Sequence, residues 1–513
     1  MAGPSRVAFR HELARRAVAE ATPAHRRRAV HRRVLAALAS SPAHRRDLAQ
    51  LAHHAEAAGD VDAVLRFADA AGREAARMGA HREAASHFAS VLRHADALEP
   101  SARADVLEQR ARSCYLTDQN ACAIDAMEQP VWLYRRLGDL ERQGEALRQL
   151  SQFLWCPGRT REAMDRARRA VELLERLPVG SQLGMTYSNI AQLAMNADDI
   201  EQTTRWSGRA IEVADALGDV AIGVHARTNL ATIAALAGDP AARAGFDDCI
   251  AAAAAAGLDE HVTRALLNRA VSAVRRHEYA DATRTLDRAE EMCRELGHEL
   301  MLFYVRAYRS VVSLDTGDWQ QAAEHADLVL RYPRTSTVPR ILALSVTALL
   351  EARTGSGDPS RALDLADDLA ASTDELERMV PPVVARSEIA WLGHRSDEIP
   401  RITQHCWELA LARGATWMIG PLAAWRYRAA VTDALPEDVA EPYVLQATGR
   451  HAAAAQWWSE RDCRYAAALS LLDAGDAASI RLASRVLSEL GAHTVDADRH
   501  HAEPDSPRRA SSM

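Results

Sequence analysis

Residues 186–191 read Thr-Tyr-Ser-Asn-Ile-Ala, residues 226–231 read Ala-Arg-Thr-Asn-Leu-Ala, and residues 265–270 read Ala-Leu-Leu-Asn-Arg-Ala. The three stretches lie 40 and 39 residues apart, and Ala146-Leu-Arg-Gln-Leu150 precedes them in the same frame. A second series runs between them, as Arg169-Ala-Val-Glu-Leu-Leu174, Arg209-Ala-Ile-Glu-Val-Ala214 and Arg288-Ala-Glu-Glu-Met-Cys293. Apolar residues recur at helical spacing within these segments, as at Ile211, Ala214 and Leu217. Turn residues keep the same period on either side, at Gly79, Asp118, Gly158, Asp198, Gly238, Glu278, Gly317, Gly357 and Asp397. A second set falls about half a period away, at Gly138, Gly180, Gly218, Gly257, Gly297 and, near the end, Gly414. Helix-forming sequence that turns this regularly predicts an all-α, right-handed superhelical solenoid of TPR-like helix hairpins with a period of about 40 residues. Such an array buries its core between neighbouring repeats and offers a long concave surface.

The turns carry their own chemistry. In Gly238-Asp-Pro240 and Gly357-Asp-Pro359 the glycine is expected to end one helix in the left-handed region, where a Cβ is unwelcome. The aspartate is expected to cap the next helix, with proline at its first position. Asp118, Asp198, Glu278 and Asp397 lack that freedom, and Glu278 argues against a left-handed residue at its turn.

The 513 residues are 48% hydrophobic but only 5% aromatic. All 62 basic residues are arginine, so no lysine can serve a phosphate loop, a Schiff base or a general base. The net charge of −8 does not describe a nucleic-acid binder. The sign is uneven, because residues 1–50 carry 11 arginines against three acids. Arg26, Arg27, Arg28, Arg32 and Arg33 make a basic segment with no aromatic residue between them. That pattern fits a solvated helix face better than a phosphate-facing one. The seven cysteines form no CxxC pair and are expected to be reduced core residues of a cytoplasmic protein. No secretory leader and no apolar run of membrane-spanning length is visible.

Four segments are expected: a basic helical segment at 1–50 with short helices around Pro23 and Pro42, TPR-like repeats over 51–435, a C-terminal helical cap over 436–491, and a disordered tail over 492–513. No HExxH, GxSxG, GxGxxG or phosphate-loop pattern occurs, and the histidines show no metal-site spacing, so the sequence points to no catalytic residue, cofactor or metal. Two candidate binding groups remain. Gln149, Asn189, Asn229, Asn268 and Tyr308 share one frame, and stacked first helices line them up as a polar stripe. Amides so placed either grip a guest or bond to adjacent helices. Trp407, Trp417 and Trp425 belong to a tryptophan-rich stretch that also holds Trp391 and Tyr427, and they either wall an apolar pocket or seal the array.

Ala8-Phe-Arg-His-Glu-Leu-Ala-Arg-Arg-Ala-Val18, His31-Arg-Arg-Val-Leu-Ala-Ala-Leu38 and Leu51-Ala-His-His-Ala-Glu-Ala-Ala-Gly-Asp60 are followed by Gly79-Ala-His-Arg-Glu-Ala-Ala85, Tyr187-Ser-Asn-Ile-Ala-Gln-Leu193 and Ala440-Glu-Pro-Tyr443. In this order they resemble the region after the nucleotide-binding module of large ATPase-containing LuxR-type transcriptional regulators. The resemblance covers about residues 8–491 and implies a tetratricopeptide-like sensor region. In that family an ATPase precedes the sensor and a helix-turn-helix domain follows it. This sequence is expected to lack both, and with them an ATP site and direct DNA binding. The expected function is a non-catalytic regulatory module that takes a protein or a small-molecule inducer in its concave groove, with no membrane partner. The alternative is a stand-alone TPR-like protein-interaction scaffold.

Overall fold

The computed structural model describes residues 17, 20–40, 47–332, 335–371 and 373–493. The expected helix near Pro42 and nearly all of the expected tail lie outside them. Among the described residues there is no strand, and the chain is an all-α helical solenoid of successive hairpins. It divides into two compact units, one ending at Asp139 and one beginning at Leu140.

The first unit holds α1 (Ala24–Ala39), α2 (Leu48–Ala58), α3 (Val61–Arg77), α4 (His81–Leu92), α5 (Pro100–Leu116) and α6 (Asn120–Leu137). Its core gathers Leu35, Leu51, Val64, Phe67, Phe88 and Val106 with small alanines between them. Gly72 is needed where α3 crosses α4, because a Cβ there meets the Phe88 ring at 2.7 Å. Arg26, Arg27, Arg28, Arg32 and Arg33 all face solvent on α1.

The second unit continues with α7 (Leu140–Trp155), α8 (Thr160–Leu174), α9 (Ser181–Asn196), α10 (Ile200–Leu217), α11 (Val220–Leu236), α12 (Ala242–Ala255), α13 (Asp259–Arg275), α14 (Tyr279–Glu295), α15 (Glu299–Thr316), α16 (Trp319–Leu330), α17 (Thr337–Thr354), α18 (Ser360–Ala370), α19 (Leu376–Leu392), α20 (Ile399–Arg413) and α21 (Thr416–Arg428). The odd-numbered first helices pack on one another as well as on their hairpin partners, whereas the second helices spread apart. First helices therefore form the inner wall and second helices the outer one. Four shorter helices follow: α22 (Glu441–Ala447), α23 (His451–Ser459), α24 (Arg464–Ala474) and α25 (Ala477–Glu489).

Several turns differ in detail from the sequence reading. Asp118 and Asp198 themselves take the left-handed conformation, each at φ 56°. A short polar side chain tolerates that region better than most. At the next turn the left-handed residue is His277, one position before Glu278, which has φ −93°. Gly355 (φ 65°) and His394 (φ 57°) take this role where Gly357 and Asp397 were expected. The Gly-Asp-Pro turns also start their helices later than expected. Asp239 caps the amide of Ala241 at 2.8 Å, but α12 begins only at Ala242. Asp358 holds the amide of Ser360 at 3.0 Å, the first residue of α18.

The cysteine expectation needs one correction. Cys114 and Cys122 are disulfide-bonded, with Cα atoms 6.0 Å apart, and join α5 to α6. Their eight-residue separation fits no sequence pattern; the tight turn between two antiparallel helices brings them together. The other five cysteines are buried and outside any disulfide.

Candidate functional site

The inner wall of the second unit is unusually polar. Asn189 is buried on α9 and donates to Ser151 Oγ at 3.1 Å. Asn229 is buried on α11 and donates to the Ser188 carbonyl at 3.1 Å, while its oxygen accepts from the Arg264 guanidinium of α13. Asn268 is half-buried and donates to Thr232 Oγ1 at 3.3 Å. Gln149 bonds Glu145 on its own helix at 2.8 Å. The stripe thus exists as a stack, and its amides are directed to neighbouring first helices or to their own helix. His225 joins it, 2.6 Å from Ser188 Oγ, and burial holds its pKa well below the usual imidazole range.

Tyr308, from the same frame, donates to Glu377 at 2.6 Å. Glu377 lies 3.3 Å from Arg275, and Arg275 lies 3.9 Å from Asp198. Burial pushes the Asp198 carboxyl up to about 6 despite Arg275, and Asp198 Oδ2 has no hydrogen-bond partner. This acid faces a cavity of about 180 Å³, together with Met195, Ile233 and Trp417.

Residues far apart in sequence meet across this wall. Trp155, at the end of α7, donates to Glu375 at 2.8 Å, and Arg378 of α19 donates to the Trp155 carbonyl at 2.9 Å. Arg378 is fully buried and bonds Glu375 at 2.6 Å. Thr337 donates its amide to the Cys156 carbonyl at 3.0 Å. The repeats from α7 to α19 thus curl until their ends touch.

The unit's own C-terminal chain packs along the turn edge of this wall, at the C-terminal ends of the first helices. Helices α22 to α24 bring Tyr443, Trp458 and Tyr465 against His277 and Arg353 there. His277 Nε2 lies 3.0 Å from Tyr443 Oη, and its ring centroid is 4.8 Å from that of Trp458. Tyr465 stacks beneath Arg353 at 3.9 Å. Arg353 in turn makes a bidentate pair with Glu388, at 2.7 and 2.9 Å, with both residues buried. A second cavity, of about 140 Å³, remains among these side chains.

The hydrogen-bond directions in this cavity follow from charge. Burial holds His277 down at about 3, so its ring is neutral and carries one proton. Tyr279 donates to Asp315 Oδ2 at 2.7 Å. The His277 Nδ1–H therefore donates to Tyr279 Oη at 2.8 Å, and Tyr443 O–H donates to Nε2. The chain Tyr443–His277–Tyr279–Asp315 points every proton towards Asp315. Burial, only partly offset by the Tyr279 bond and by Arg353, pushes that carboxyl up to about 6.

The tryptophans divide. Trp425 lines the Asp315 cavity with Arg428 over its face at 4.9 Å. Trp417 lines the Asp198 cavity beneath Arg276 at 5.0 Å. Trp407 is buried under Arg426 at 5.1 Å and belongs to neither lining. Sequence reasoning missed Asp198, Arg275, His277, Asp315 and Glu377 as site residues. The only sequence signal was that Asp198 and Glu278 stand where glycine does in other repeats.

Among the described residues, His31, His53 and His54 are the group able to share a metal ion, with one ring nitrogen from each within 4.8 Å of the others. His31 Nδ1 and His54 Nδ1 are 2.8 Å apart. The cluster joins α1 to α2, which single-helix spacing could not reveal.

No family model matches the chain, and no curated protein matches it. Among solved structures, a Rap protein complexed with the competence and sporulation factor is similar at 16% identity and a TM-score of 0.45, covering 76% of this chain and 99% of that one. A signal transduction ATPase of the STAND type with a tetratricopeptide repeat sensor, from Pyrococcus horikoshii, is similar at 12% identity and a TM-score of 0.34, covering 64% of this chain and 52% of that one. The TPR domain of P58(IPK) is similar at 15% identity and a TM-score of 0.22, covering 72% of this chain and 98% of that one. At that level of likeness neither ligand nor partner carries over. No described helix is long and apolar enough to cross a membrane.

Proposed function

We propose that this chain is a non-catalytic binding module whose second unit senses a small molecule held inside the coil of repeats. The observation that carries the reading is the docking of the C-terminal helices against the ends of the first helices. Two cavities lie beside these ends, and each holds an acid, Asp198 or Asp315, whose pKa burial raises to about 6. A molecule that enters the Asp315 cavity touches both the repeats and the C-terminal helices, so its binding energy bears directly on whether they stay docked. The sequence resemblance supplies the output: the sensor region of a cytoplasmic LuxR-type transcriptional regulator.

The test is hydrogen exchange on the full chain, with and without fractionated small metabolites. A true inducer slows exchange in α14, α15 and α21 to α24 together. Protection confined to outer second helices, or none from any fraction, removes the reading. A protein-interaction scaffold remains the second reading, because Val179, Leu217 and Val220 are exposed at successive inter-repeat turns, at 58%, 45% and 46%. Loss of exchange at those turns with a protein partner favours it.

A further inference from the structure

The first unit holds a side-chain cluster that plays no part in the sensor reading. Leu35 of α1 and Leu51 of α2 are buried in one core. His31 lies one turn before Leu35 and His54 one turn after Leu51, so pairing the two helices brings both rings to the same edge of that core. His53 comes from the neighbouring face of α2 and is exposed. The centroids of the three rings are 5.1 to 5.8 Å apart, and the rings are inclined to one another by 41° to 76°. His31 Nδ1 and His54 Nδ1 stand 2.8 Å apart, and one nitrogen from each of the three rings lies within 4.8 Å of the others. A hydrogen bond between two imidazoles accounts for His31 and His54 alone. It does not account for the third nitrogen beside them.

We propose that His31, His53 and His54 bind a divalent transition-metal ion, with Zn²⁺ the best fit, and that the ion fastens α1 to α2. The site is independent of the sensor reading, which concerns the second unit. Four-coordinate zinc takes imidazole nitrogens at about 2.0–2.1 Å, which sets them about 3.3 Å from one another. The observed spacings bracket that value, so the closest pair has to part slightly and the wider ones to draw in. The proton shared between His31 and His54 moves to Nε2 of its own ring. Both rings then present a lone pair at Nδ1 and both stay neutral. The group holds nitrogen donors and no carboxylate. That selects ions that prefer imidazole, such as Zn²⁺, Ni²⁺ and Cu²⁺, over Mg²⁺ and Ca²⁺, which take oxygen. Exposure of His53 leaves a path for the ion and room for water as a further ligand. Arg27, one turn before His31, repels a cation and holds the affinity below that of a site with a carboxylate in place of one ring.

Zinc calorimetry tests this on the full chain, carrying no polyhistidine tag and first stripped with a chelator. It should show one ion per chain, and Mg²⁺ should not compete. Co²⁺ in place of zinc should give the visible absorption of a four-coordinate ion. His53→Ala is the first variant, because that ring is exposed and its loss leaves the core intact. It should weaken zinc at least about tenfold, since even the outer-shell partners of metal ligands are worth about 10–100-fold. His54→Gln should do the same, with circular dichroism confirming the fold. Zinc should also slow hydrogen exchange in α1 and α2 and leave α24 and α25 unchanged, which separates a clamp from an ion held elsewhere. No zinc binding to the native chain, an affinity unchanged in both variants, or protection that misses α1 overturns the proposal.

Discussion

Asn229 shows how one side chain can be read correctly in position and differently in role. Its 40-residue spacing from Asn189 places it on the inner wall, and it is there, fully buried. Its oxygen, however, accepts from Arg264, and its nitrogen donates to the Ser188 carbonyl. Asn229→Ala leaves the buried Arg264 head without that acceptor. Bonds to charged groups are worth about 1.5–3 kcal/mol, and the vacated space adds to the loss. Denaturant unfolding should therefore show a loss of about 2–4 kcal/mol. A loss below about 0.5 kcal/mol, the level of an ordinary surface change, shows that the wall does not need the amide and leaves it available to a guest. The sequence could not decide this, because an asparagine on a polar stripe looks the same whether its partner is a neighbouring helix or a ligand.

At the scale of helices, the hairpins were legible because each obeys local rules. Asp199 caps α10 through the amide of Gln202 at 3.0 Å, and Asp219 caps α11 through Ala221 and Ile222. Gly138, Gly218, Gly317 and Gly414 end their helices at positive φ. The contact between α21 and α22 was not legible. A Cβ on Gly420 meets the Tyr443 ring at 2.2 Å, so glycine is what lets Tyr443 lie close enough to reach His277. Gly420→Ala gains helix propensity on α21 but overpacks this contact, which should cost about 1–3 kcal/mol overall. It should also raise hydrogen exchange in α22 and α23 more than in α10 and α11. A uniform change across all four helices contradicts this account.

For the second unit as a whole, the enclosed acids make stability depend on pH. Asp315 binds its proton more tightly in the folded state, at about 6, than in the unfolded chain, where a carboxyl titrates at about 3.9. Burial is the main cause, Tyr279 and Arg353 oppose it, and Glu388 adds to it. Between those values the native state holds more protons, so this group favours folding most at low pH and progressively less as pH rises through 6. The cost above that point is as much as about 3 kcal/mol. Asp315→Asn should therefore raise the Tm at pH 7.5 by more than at pH 4.5. The reverse order means that a cation already balances the carboxylate in the native protein.

Period, helix type and turn positions were set by the sequence alone, because each depends on residues within a few positions of one another: apolar spacing, an aspartate cap, a glycine at positive φ. Even the turn shifts to His277, Gly355 and His394 stay within that local reach. Contacts that span most of the unit belong to the tertiary structure: Trp155 with Glu375, His277 with Tyr443, the polar chain ending at Asp315. Which turns the C-terminal helices meet depends on small rotations between repeats that add up over many hairpins. No single repeat encodes that sum, so only the folded unit could show where those helices dock and where the cavities beside them lie.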